Sequence, residues 1–195
     1  MTPDVNVVIS HSEYTVLVVD DVVSNVLLLK VLLTNEKFKV ITAGNGKEAL
    51  SQAVNARPDL ILLDVMMPEM NGFEVAERLK ADPETQHIPI IFLTALNTTA
   101  DIVKGFKVGA NDFISKPFNK EELVIRVTHQ ISLVAAKRII MEQTEELRKI
   151  IMGRDKLYSV IAHDLRSPMG SIKMVLNMLI PVSYTHLRAH ETSQD

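Results

Sequence analysis

Between Tyr14 and Lys116, five short apolar runs alternate with longer amphipathic stretches, and this alternation leaves few architectures open to the first half of the chain. The runs are Thr15 to Val19, Phe38 to Ala43, Leu60 to Leu63, Ile90 to Leu93 and Asp112 to Ile114. Their Val, Ile and Leu content is that of strands buried on both faces, and helix-length connections are what parallel strands need. The expected fold is α/β: a doubly wound, five-stranded parallel sheet followed by a long α-helical segment. Asn45-Gly46, Pro58-Asp59, Met67-Pro68 and Asn71-Gly72 mark turns or loops between the periodic segments. In an open sheet of this kind ligands collect at the carboxyl ends of the strands, so chemistry is sought there.

From about Lys120 the pattern changes to one or two long helices, with Gly153 as the sole breaker before Pro168. Leu133, Ala136, Ile140, Gln143, Leu147, Ile150, Arg154, Leu157, Ile161 and Asp164 fall on alternate a and d positions of a heptad. Such a seam suits a parallel helical dimer, or a single amphipathic helix packed on its own domain.

Several function classes drop out early. With no cysteine in 195 residues, disulfides, thiolate nucleophiles and cysteine-bound zinc are excluded. A net charge of -3 gives no long-range attraction to nucleic acid. No apolar stretch reaches the roughly 18 residues of a membrane span, and no leader-like segment opens the chain, so a cytoplasmic protein is expected.

Asp20 and Asp21 follow the first predicted strand, Asp64 ends the third, Thr94 ends the fourth and Lys116 follows the fifth. All five then meet at one sheet edge. Singly, an aspartate at a strand end is usually a cap or turn residue. Together, three carboxylates about 4 Å apart repel by about 4 kcal/mol per pair at an effective dielectric near 20. A hard divalent cation held through oxygen relieves this, and Mg2+ suits a site with few carboxylates and room for phosphate oxygens. Three carboxylates, one ammonium and one such cation are near neutral, and added phosphoryl charge is stabilised by the cation and Lys116.

Residues 14 to about 130 resemble the receiver domain of bacterial response regulators, the chemotaxis-regulator or flavodoxin-like fold. The motifs that match are Val18-Val19-Asp20-Asp21, Leu62-Leu63-Asp64-Val65-Met66-Met67-Pro68, Leu93-Thr94-Ala95 and Lys116-Pro117-Phe118. The resemblance implies that Asp64 is the phosphoacceptor. It implies that Asp20, Asp21, Asp64 and the Met66 carbonyl hold Mg2+, that Lys116 contacts the phosphoryl group and that Lys116-Pro117 is cis. It makes Thr94 and Phe113 a switch pair, although Phe113 read alone is also a plain core aromatic.

Tyr158-Ser-Val-Ile-Ala-His163-Asp164-Leu165-Arg166-Ser167-Pro168 is similar to the phosphoacceptor box of sensor histidine kinases. This implies a phosphorylated His163 with Asp164 as its acid/base partner, and Pro168 would bend the helix just beyond. Tyr158 stands where phenylalanine is commoner, and Ser167 where threonine or asparagine is usual in kinases that also dephosphorylate their partner. From Pro181 the helical pattern breaks, and the ending is similar to translated sequencing-adapter readthrough. His186 and His190 at helical spacing could mimic a metal pair.

The expected organisation is a tail over 1–13, a receiver over 14–130, a helical linker over 131–155, a partial kinase phosphoacceptor helix over 156–180 and a non-native tail over 181–195. The expected function is two-component phosphorelay: Mg-dependent phosphoryl transfer to Asp64, coupled to His163 in a fragment of a hybrid kinase without its ATP-binding domain. Expected partners are a cognate histidine kinase or phosphotransfer protein and a second copy of the chain through the helical segment. The alternatives are a non-enzymatic receiver switch with an inert His163, and a metal-dependent phosphatase or hydrolase using the same acids.

Overall fold

The computed structural model describes residues 10–95 and 99–191. After a short 3-10 turn, η1 (His11–Glu13), come β1 (Thr15–Val19), α1 (Val23–Asn35), β2 (Lys39–Ala43), α2 (Gly46–Ala56) and β3 (Leu60–Asp64). Then follow α3 (Gly72–Ala81), β4 (Ile90–Thr94), α4 (Thr99–Lys107), β5 (Asp112–Ser115) and α5 (Lys120–Glu191). The strands form one sheet in the order β2-β1-β3-β4-β5, and every neighbouring pair is parallel. This is the doubly wound α/β fold expected from the sequence. Chain order reverses beside β1 and β3, the switch point at which such sheets bind ligands.

Strand side chains alternate between two cores. Leu17, Val19, Ile61, Leu63, Ile90 and Phe92 point to one face, where Ala49 and Ala53 of α2 and Phe73, Val75, Ala76 and Leu79 of α3 cover them. Val16, Val18, Leu60, Leu62, Ile91, Leu93 and Ile114 point to the other, under Leu29 and Leu33 of α1 and Leu123, Val127, Ile131 and Ala135 of α5. The period of two within a strand and of about four within a helix produces both layers from one chain.

Asn45-Gly46, which reads as a turn, and Asn71-Gly72, which reads as the loop before a helix, are both helix starts. The Asn45 side chain accepts from the Glu48 N–H at 2.9 Å and caps α2. Asn71 and Glu74 form a reciprocal capping box at the head of α3, with hydrogen bonds of 3.0 and 3.2 Å.

The chain divides after Arg138 into two compact units. In the first, Arg126 bonds both oxygens of Asp112, at 2.8 and 2.9 Å, and Arg138 reaches Asp59 at 2.7 Å. In the second, every side chain from Ile140 to Asp164 is exposed. Helix α5 continues through Pro181, where a break was expected, and through Pro168, where a bend is compatible with a continuous helix. A proline removes its own N–H bond and crowds the carbonyl four residues back, a local cost that does not by itself end a helix. The side chains of Pro168, His186 and His190 and all of residues 192–195 lie outside the described residues. Among the described residues no helix is long and apolar enough to cross a membrane.

Candidate functional site

Parallel register brings the candidate residues to one edge. Val19 pairs with Leu63 and Asp64 with Leu93, so Asp20 and Asp64 leave adjacent strands side by side. Thr94 pairs with Ser115, and the Lys116 N–H donates to the Thr94 carbonyl at 2.8 Å, which ties the fifth strand's exit to the fourth. The Lys116-Pro117 peptide is cis.

Asp20 and Asp64 are buried, whereas Asp21 is exposed at the rim. One carboxylate oxygen from each of the three can be chosen so that all lie within 4.8 Å of one another. Lys116, with 19% of its side chain exposed, bridges the buried pair: its Nζ donates to Asp20 Oδ2 at 2.7 Å and pairs with Asp64 Oδ2 at 2.9 Å. Asp64 Oδ1 also accepts from the Met66 N–H at 3.2 Å. Asp20 Oδ1 accepts from the Val22 N–H at 2.9 Å, and Asn25 Nδ2 lies 3.1 and 3.0 Å from the two Asp20 oxygens.

Burial pushes the Asp64 carboxyl above its ordinary value of 3.8, against the opposing pull of Lys116 and the Met66 N–H. Burial alone would lower Lys116, but its hydrogen bonds to Asp20 and Asp64 outweigh it and raise the ammonium above 10.5. A raised folded pKa on a carboxyl means that the fold prefers Asp64 protonated. The stability due to protonation is complete below 3.8 and is lost as pH rises through the raised folded value. Asp64→Asn, neutral at every pH, is therefore expected to be more stable than the wild type at neutral pH. Urea unfolding at pH 7 and at acid pH checks this: the difference should shrink on acidification, and a less stable Asn variant at pH 7 would contradict it.

The residues fit a hard divalent cation. All three acids offer oxygen, one lysine leaves the cluster a net negative charge, and two of the acids are buried where that charge costs most.

Phe113, half-buried on β5, lies against Phe92 at 5.6 Å and Phe106 at 4.9 Å between ring centroids. A side chain at Gly105 would collide with its ring. Thr94 is buried at the end of β4. In the second unit His163 Nδ1 lies 3.3 Å from Asp164 Oδ1, with both side chains largely exposed.

Sequence reasoning missed Asn25 and Gly72. Asn25 lies in the first turn of the helix after the acidic pair, too common a polar position to stand out. In the sequence Gly72 is only loop punctuation, yet a Cβ there would strike the Asp64 carbonyl oxygen.

The family model described as "Response regulator receiver domain" matches residues 16–128. Over 127 residues the chain is 47% identical to the response regulator PleD of Caulobacter vibrioides, a match covering 65% of this chain and 27% of that protein. The chain thus spans about a quarter of that relative. Among solved structures, the chemotaxis protein CheY4 of Vibrio cholerae superposes with a TM-score of 0.58 at 35% identity, covering 60% of this chain and 97% of that one. The receiver domain of the sensor histidine kinase PA1611 from Pseudomonas aeruginosa, described with a magnesium ion coordinated in its active-site cleft, gives 0.57 at 28% identity, covering 61% and 98%.

Proposed function

Since the chain belongs, through residues 16–128, to the response regulator receiver domains of two-component signalling, we propose that it accepts a phosphoryl group on Asp64 from a phosphohistidine of a cognate histidine kinase or phosphotransfer protein. The observation that carries this reading is the pair of buried carboxylates, Asp20 and Asp64, bridged by one lysine at 2.7 and 2.9 Å at the sheet's switch point. Asp64 Oδ2 or Oδ1 forms the new O–P bond. The P–N bond breaks, its electron pair stays on the donor imidazole, and that ring takes up a proton.

Asp20, Asp21, Asp64 and the Met66 carbonyl would hold Mg2+, which when bound would neutralise charge on the phosphoryl oxygens. Lys116 then exchanges its bond to Asp64 for one to a phosphoryl oxygen, so no ammonium is left buried alone. Thr94 donates to another phosphoryl oxygen, and the Phe113 ring follows, turning added charge into a changed surface.

For the second unit, the reading is a dimerisation and phosphoacceptor helix. Ile140, Leu147, Ile150, Leu157 and Ile161 are exposed at heptad spacing, an apolar seam that a second copy would bury. His163 is accessible to an incoming phosphoryl group, and Asp164 is near enough to orient its ring. A receiver switch with an inert His163 is the competing reading. It is distinguished by His163→Gln, which should remove acid-labile phosphate received from an ATP-binding kinase domain and leave Asp64 chemistry intact.

The test of the main reading is intact mass after incubation with a small phosphodonor such as acetyl phosphate. With Mg2+ the chain should gain one phosphoryl group, and with excess chelator none. An unmodified mass in the presence of Mg2+ would count against it.

A further inference from the structure

Resting on the reading of Asp20, Asp21 and Asp64 as a cation site, we propose that Asn25 is a positioning residue that holds the Asp20 carboxylate for cation binding. The Asp20 side chain is fully buried, and its bonds come from Val22, Asn25 and Lys116. Lys116 is shared with Asp64 and is the group the proposed reaction redirects. The Val22 N–H holds Oδ1 alone. Asn25 is the partner within hydrogen-bond distance of both oxygens, whereas Lys116 holds Oδ2 alone, so it is Asn25 that fixes the plane of the carboxylate.

The helix explains why this amide is well placed. Leu29 and Leu33, four and eight residues further along α1, are fully buried against the sheet. Asn25 therefore continues the same stripe, one turn nearer the carboxyl ends of the strands. Its backbone is held by core packing rather than by the site. A leucine would fit the stripe by size, but it would leave a buried carboxylate short of donors. Partners that orient a metal's ligands typically change affinity by roughly 10- to 100-fold when removed.

Titration calorimetry of the full chain with MgCl2, together with thermal unfolding without metal, tests the proposal. Asn25→Leu should weaken Mg2+ binding by roughly tenfold or more, and Asn25→Gln, which keeps the carboxamide, should recover part of the loss. Asn25→Ser, too short to span both oxygens, covers the case in which the leucine variant fails to fold, and it too should bind more weakly. If the wild type binds and folded Leu or Ser variants match its dissociation constant, Asn25 is only a structural residue of α1 and the proposal falls. If the wild type does not bind Mg2+, the cation-site reading itself fails, independently of Asn25.

Discussion

Asp64→Ala is expected to lose all phosphoryl incorporation from a small donor with Mg2+, down to the level of the donor-free control in intact-mass spectra. No neighbouring acid can take over. Asp20 is fully buried, and its two oxygens already accept from Val22, Asn25 and Lys116. Asp21 is at the exposed rim and lacks the lysine bridge that Asp64 has at 2.9 Å. The loss should not come from unfolding. Removing a carboxylate that burial already disfavours relieves the site, and Lys116 keeps its 2.7 Å bond to Asp20. Asp64→Ala should thus fold and stay unmodified. If it gains a phosphoryl group at the wild-type rate, the acceptor lies elsewhere and the assignment is wrong.

How much of this was legible in the sequence follows from what each signal depends on. The β1 and β3 runs and their terminal acids could be read because a strand buried on both faces shows a continuous apolar run and ends where polarity returns. Asp64 closes Leu60–Asp64 in just that way. Parallel topology then does the rest, since it puts every carboxyl end on one edge. Asn25 could not be read, because its role depends on the path of Asp21 and Val22 bringing the start of α1 back over Asp20. Asn45-Gly46 reads as a turn and Asn71-Gly72 as the loop before a helix, because cap, turn and loop use the same residues. Only the partner three positions on, Glu48 or Glu74, separates them. Pro181 misled in the opposite direction, since a proline's cost is confined to one hydrogen bond and one crowded carbonyl and weakens a helix locally without marking its end.

Gly72→Ala is expected to cost about 3 kcal/mol in urea unfolding and to slow phosphorylation of Asp64 at least tenfold. A Cβ at Gly72 would fall on the Asp64 carbonyl oxygen, 2.9 Å from the Val65 Cα and 3.0 Å from the Asp64 carbonyl carbon. All three are backbone atoms, so no side-chain rotation makes room. Helix α3 cannot retreat, because Phe73, Val75, Ala76 and Leu79 anchor it in the core from the next residue onward. The segment from Asp64 to Val65 must therefore shift, and the Gly72 N–H loses its 3.0 Å bond to the Val65 carbonyl. That segment carries the nucleophile, so packing strain is converted into misplaced chemistry. Gly44→Ala is the control: its Cβ would meet only the Glu48 carboxylate, at 3.7 Å, so its cost should stay within about 0.5 kcal/mol. Equal stability and equal rates in the two variants would show that the α3 start does not support Asp64. The expected split instead ties the acceptor's position to a single missing methyl group one loop away.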